Sequence, residues 1–212
     1  MPMIYSFYAS MISNGGNNKM ADVSKDAKYT MEEFIRDVQA IMSSRQEREI
    51  ITNQLKPLLE RLLRQEELLD ERYKVDLGKG RSTYSFFRSP DGSLGISAPV
   101  FMPGKPTLLH DHLSWGLIGV YSGRQKTTRY RRIDDGSQAG HADLELLEDE
   151  IYTKGDIYYM APPDDIHQVE TIGEEPGVSI HVLGTDYRRS KRHVYDLSKR
   201  TVQEVEGMVM MT

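Results

Sequence analysis

From Thr30 onward the chain takes on a helical texture. Thr30 stands three residues ahead of Glu33, the spacing of a capping box, in which each side chain satisfies the other residue's backbone N–H. Phe34, Ile35, Val38, Ile41 and Met42 then recur at the period of one helical face. A second such run passes through Ile50, Ile51, Leu55, Leu58, Leu59, Leu62 and Leu63, with Glu60, Arg61 and Arg64 on the opposite face. Pro57 lies inside it, and because proline lacks the N–H that closes a helical turn, a kink or a break is expected there. An amphipathic pair of this kind either binds a partner or packs on the domain that follows. The second outcome is far commoner and is the expectation here.

After about residue 80 the helical period gives way to short runs rich in Val, Ile, Tyr and Phe, bounded by Gly, Pro and Asp. STYSFFR, LGISAPVFM, TLLHDH, GLIGVYS, KTTRYRRI, LELLEDEIY, DIYYMAP, IHQVETI, VSIHVLG and RHVYDL read as strands, with S-P-D-G and P-G-K-P as turns between the first three. Turns every roughly 8–12 residues leave no room for strand-helix-strand units and predict a mainly β sandwich or barrel. The expected organisation is a flexible N-terminal tail over 1–29, a helical preface over 30–75 packed on the barrel, and the barrel over 80–205.

A chain of 212 residues suits this single domain with an appendage. Its first residues are mildly apolar, but no basic residue precedes them and Tyr5, Ser6, Tyr8 and Ser10 interrupt them, so they make a poor signal peptide. Met20 is an equally good start. No run approaches the roughly 20 apolar residues that span a bilayer, and a net charge of -5 argues against a protein that neutralises nucleic-acid phosphates. No membrane or nucleic-acid partner is expected, a cytoplasmic location is, and self-association into a homo-oligomer is left open. The sequence contains no cysteine. Disulfides, thiolate-ligated zinc, iron–sulfur clusters and a cysteine nucleophile are thereby excluded, so a metal would need His, Asp or Glu.

The six histidines carry the most information. His110 and His112, two apart in a strand-like run, point to one face by alternation, while Asp111 points to the other. His167 begins a later strand, after the turn made by Pro162 and Pro163. Three converging neutral imidazoles suit iron, copper, zinc or nickel. His141 reads as an exposed loop residue, His193 as surface, and Trp115 as a buried structural indole.

The arrangement Gly104, His110-x-His112, Gly123, followed by Gly155, Pro162 and His167, resembles the two-part metal motif of cupins. That resemblance implies a double-stranded β-helix, a jelly-roll barrel with inward-facing metal ligands. Most metal cupins carry a Glu four residues after the second His; here that position is Gly116. Three neutral ligands leave a divalent ion's charge uncompensated, which favours anionic ligands such as thiolate or carboxylate.

Within the cupins, the segment H-D-H-L-S-W-G-L-I-G, the preface L-K-P-L-L-E-R-L-L and the phrase F-F-R-S-P-D-G-S-L-G-I-S-A-P-V-F-M-P-G resemble the thiol dioxygenases, most closely the bacterial 3-mercaptopropionate dioxygenase type, over roughly residues 30–200. The resemblance implies a mononuclear Fe(II) held by His110, His112 and His167. It further implies transfer of both atoms of O2 to the sulfur of a small carboxylated thiol, giving a sulfinate. The family's Ser-x-His-x-Tyr relay is matched by Ser179 and His181 but ends in Leu183, so a phenol would have to come from Tyr159 or Tyr187. The family's carboxylate-clamping Arg falls eleven residues after the relay His, at Arg192. By composition alone Arg192 sits in a basic cluster that reads as a solvated face, and Arg188 and Arg189 are alternatives to it. The Cys–Tyr crosslink of the animal enzymes cannot form here. The competing functions are a three-His cupin oxygenase or isomerase acting on a non-thiol substrate, and a non-catalytic metal cupin that binds a small ligand.

Overall fold

The computed structural model describes residues 28–44, 46–74, 81–186, 188 and 190–206. The tail expected over 1–29 lies outside these apart from its last two residues. Of those, Tyr29 belongs to the folded body: it is buried, its ring meets Phe34 edge-on, and its hydroxyl donates to Asp37.

Helix α1 (Met31–Ser43) opens with the predicted capping box, Thr30 Oγ1 accepting from Glu33 N and the Glu33 carboxylate accepting from Thr30 N. Helix α2 (Arg48–Leu63) runs through Pro57 without the break that is the second of the two outcomes expected there. Both Pro57 and Asn53, whose carbonyl loses its partner to the proline, are exposed, so the missing bond falls on the solvent side of the helix. Leu55, Leu59, Leu62 and Leu63 form the buried stripe of α2.

Eleven strands follow among the described residues: β1 (Arg81–Arg88), β2 (Gly95–Phe101), β3 (Leu109–His110), β4 (Gly116–Ser122), β5 (Arg124–Arg132), β6 (Leu144–Thr153), β7 (Ile157–Met160), β8 (Ile166–Thr171), β9 (Gly177–Leu183), β10 (Lys191–Asp196) and β11 (Thr201–Glu206). One sheet runs β1-β2-β9-β4-β7 and the other β11-β10-β3-β8-β5-β6, with every pairing antiparallel. Strands β2 to β9 therefore interleave as a jelly roll, the double-stranded β-helix of cupins, with β1 extending one sheet and the β10–β11 hairpin the other. No helix among the described residues is long and apolar enough to cross a membrane. Strand β11, T-V-Q-E-V-E, is an addition to the sequence reading, and β3 is far shorter than TLLHDH suggested.

The helices cover the outer face of the first sheet through one close approach. Gly119 in β4 lies beneath α2, where an added Cβ would stand 2.6 Å from Leu63 Cδ1 and 3.1 Å from Leu59 Cδ2. Leu55, Leu59 and Leu62 pack there in one apolar cluster with Leu117, Tyr121, Ile180 and Val182. Tyr121 adds a tie, its hydroxyl donating 2.6 Å to the Glu66 carbonyl. Because this core lies on the side of the sheet away from the barrel interior, it supports the interior without lining it. Leu59→Ala is expected to cost about 2–5 kcal/mol, read as a lower denaturation midpoint, while the metal content of the folded fraction stays unchanged.

Candidate metal centre

His110 ends β3 and pairs in register with His167 of β8. The chain then leaves the strand, so His112 sits in a loop and not, as alternation implied, on a continuing strand. Its ring nonetheless faces the same way. The backbone follows a strand-like path for one more residue, Asp111 N donating to the His193 carbonyl, before Leu113 takes up positive φ. The buried Asp165 carboxylate accepts from His112 N at 3.1 Å and fixes the loop just before His167. Burial pushes that carboxyl above its usual range.

The three imidazoles are buried, and one ring nitrogen from each lies within 4.8 Å of the others. His112 Nε2 and His167 Nε2 are 3.2 Å apart. Two metal–imidazole bonds of about 2.0–2.1 Å at tetrahedral or octahedral angles would place their nitrogens about 2.9–3.4 Å apart, so the spacing fits a shared ion. His110 Nδ1 faces the Leu108 carbonyl at 2.8 Å; as the donor there it leaves Nε2 with a lone pair for a metal. Burial first, then the positive charge of neighbouring groups, holds His112 far below the ordinary histidine range and His167 down to about 3. Both rings are therefore neutral at physiological pH, the form that ligates. Among the described residues no carboxylate joins the group: Asp111 points to the opposite face, and Gly116 is covered by Leu183, whose Cδ2 would be 2.9 Å from a Cβ placed there.

The triad forms one wall of a small cavity. Phe101, Pro99, Val169 and Leu183 supply apolar wall; Thr83, Ser97, Thr107, His181 and Arg192 supply polar groups. Arg192 is 5% exposed, so it is no part of a solvated basic face. Ser179 and His181 share one face of β9, with Ser179 Oγ 3.0 Å from His181 Nε2. Leu183 is buried beside them. Tyr159 is 41% exposed and does not reach in. Tyr187 and Arg189 lie outside the described residues, and among the described residues no tyrosine lines the cavity.

The remaining expectations divide. His141 is half-buried, not exposed: it bridges to Thr201 through the backbone and its Nε2 meets Asp143 at 3.2 Å. His193 is half-buried and bonded to Asp111. Trp115 is partly buried and packs against the main core, as a structural indole. Arg188 is exposed and borders a separate outer groove with β1. Asp111 and Asp165 gave no sign of their roles in the sequence beyond lying next to ligand histidines.

No protein-family profile matches the sequence. Among solved structures, the chain overlays an oxalate oxidase bound to glycolate with a TM-score of 0.39 and 12% identity, covering 52% of this chain and 53% of that one. A cupin 2 conserved barrel domain protein from Salinispora arenicola gives 0.38 and 19%, covering 54% and 84%. A double-stranded β-helix protein from Klebsiella pneumoniae gives 0.40 and 15%, covering 55% and 83%. The chain thus spans about half the length of the oxalate oxidase. Overlays this partial bear on neither substrate nor reaction.

The full-length chain is expected to bind one divalent ion, measured by elemental analysis after anaerobic loading. His112→Ala and the His110→Ala/His167→Ala pair should each reduce bound metal to near zero, while His141→Ala leaves it unchanged.

Proposed function

We propose that the chain is an Fe(II)- and O2-dependent dioxygenase that converts a small carboxylated thiol, resembling 3-mercaptopropionate or cysteine, to its sulfinate. The observation that carries this reading is the buried guanidinium of Arg192 in the same small cavity as three buried imidazoles, a group that no carboxylate joins among the described residues. A divalent ion in that setting favours an anionic ligand at its open positions. A planar guanidinium pairs bidentately with a carboxylate at the other end of the same small molecule.

Bound Fe(II) would supply the one-electron chemistry that O2 needs to react with a closed-shell thiolate, with net balance RS⁻ + O2 → RSO2⁻. The rest falls to the chain. Arg192 orients the substrate through its carboxylate. His181, held by Ser179 Oγ, is the group on the cavity wall placed to take the thiol proton. Phe101, Pro99 and Val169 exclude water from the reacting end. Leu183 stands where the family has a phenol, so proton handling rests on the Ser179–His181 pair. The same substitution is the feature that favours a second reading, a three-His cupin oxygenase acting on a non-thiol substrate.

The test is sulfinate formation by Fe(II)-loaded protein supplied with 3-mercaptopropionate, cysteine, mercaptosuccinate or cysteamine. Carboxylated thiols should give sulfinate with matching O2 uptake. Absence of sulfinate from every member overturns the reading in favour of the non-thiol one. Arg192→Ala should raise KM for 3-mercaptopropionate by about 10–100-fold, the loss of one or two charge-assisted hydrogen bonds, and change KM for cysteamine little. Equal effects on the two substrates would remove Arg192 from the substrate site.

A further inference from the structure

Asp111 separates two of the histidines of the triad, yet it points away from them and is 2% exposed. On the far side of the sheet its carboxylate collects three hydrogen bonds from β10. The His193 backbone N–H donates to Oδ1 at 2.7 Å, His193 Nδ1–H to Oδ2 at 2.7 Å, and the Tyr195 hydroxyl to Oδ2 at 2.9 Å. These bonds lie where the ladder between the strands runs out. β3 is two residues long and offers β10 only the register pairs Leu109 with Tyr195 and His110 with Val194.

That shortness matters because strand faces alternate. Continued by two residues, the same register sets Asp111 opposite His193 and His112 opposite Arg192, which puts the guanidinium on the cavity side and His193 on the outer side. A slip of one residue would exchange them, burying an imidazole beside the triad and turning the guanidinium outward. Two ladder pairs specify register weakly on the β3 side; backbone bonds from Asp111 N to the His193 carbonyl, Ala142 N to the Arg200 carbonyl and Val202 N to the Gly140 carbonyl add ties along the β10–β11 hairpin. A carboxylate that grips the outward-facing His193 and Tyr195 together fits only the observed register.

We propose that Asp111 is a positioning residue: by locking β10 through His193 and Tyr195 it aims Arg192 into the cavity, so that the residue between two metal ligands also sets recognition of the substrate's carboxylate. The inference rests on the reading of Arg192 as the carboxylate clamp.

The test uses the full chain loaded anaerobically with Co(II) and titrated by visible absorption with 3-mercaptopropionate and with ethanethiol, which lacks the carboxylate. The readout is the ratio of the two Kd values, together with metal stoichiometry. The unsubstituted chain should favour 3-mercaptopropionate by at least about tenfold, the worth of one charge-assisted hydrogen bond, and Arg192→Ala should bring the ratio close to one. Asp111→Ala should lower the ratio at least about fivefold and leave Kd for ethanethiol unchanged, a selectivity that general loosening of the fold would not produce. Should Asp111→Ala lose metal, the His193→Ala/Tyr195→Phe double variant decides, because neither side chain lines the cavity and the ligand-bearing loop stays intact. Full retention of the ratio in these variants while Arg192→Ala abolishes it overturns the proposal. A ratio unchanged in Arg192→Ala, or close to one in the unsubstituted chain, overturns the clamp and the proposal with it.

Discussion

Three buried imidazoles are held against one another inside the barrel. Burial makes protonation of His112 and His167 costly, and two neutral ring nitrogens 3.2 Å apart gain most from a cation placed between them. Gly116 and Leu183 close off the position from which a carboxylate could enter, so the charge balance of any bound divalent ion has to come from a ligand. The chemistry proposed for the cavity follows from that imbalance, with Arg192 as the proposed second anchor for the same ligand.

The rest of the molecule maintains this convergence. The jelly-roll strand order brings β3 and β8, distant in sequence, into register at His110 and His167. Asp165 ties the loop carrying His112 to the segment that leads into His167, and Asp111 ties the same loop to β10. Two buried carboxylates thus tie the segments that bear the histidines to neighbouring parts of the barrel and stand outside the triad. Outside the barrel, α2 sits close enough to β4 that Gly119 has no room for a side chain, which stiffens the sheet that carries His181.

Much of this was legible in the sequence because it depends on local periods. Runs rich in Val, Ile, Tyr and Phe between Gly, Pro and Asp located every strand from β1 to β10, the Thr30–Glu33 box located the first helix, and the histidine spacing located the triad. What was missed depends on partners far away along the chain. Alternation overextended β3, since only the pairing with β8 and β10 shows where the ladder stops. Composition placed Arg192 on a solvated face because its neighbours are charged, whereas its burial is decided by the register of β10 on β3. Pro57 does not break α2, where its ring and Asn53 both lie on the exposed side of the helix. The hydrogen bonds of Asp111 cross from residue 111 to residues 193 and 195, a separation no local pattern encodes. Strand β11, polar and half exposed, has too little alternation to stand out.

In the proposed reaction both atoms of O2 pass to a thiol sulfur. The most direct measurement is mass analysis of the sulfinate formed by the Fe(II)-loaded chain from 3-mercaptopropionate under 18O2 in unlabelled water. Label is expected in both sulfinate oxygens. A sulfinate carrying one label or none, its remaining oxygen drawn from water, would contradict it.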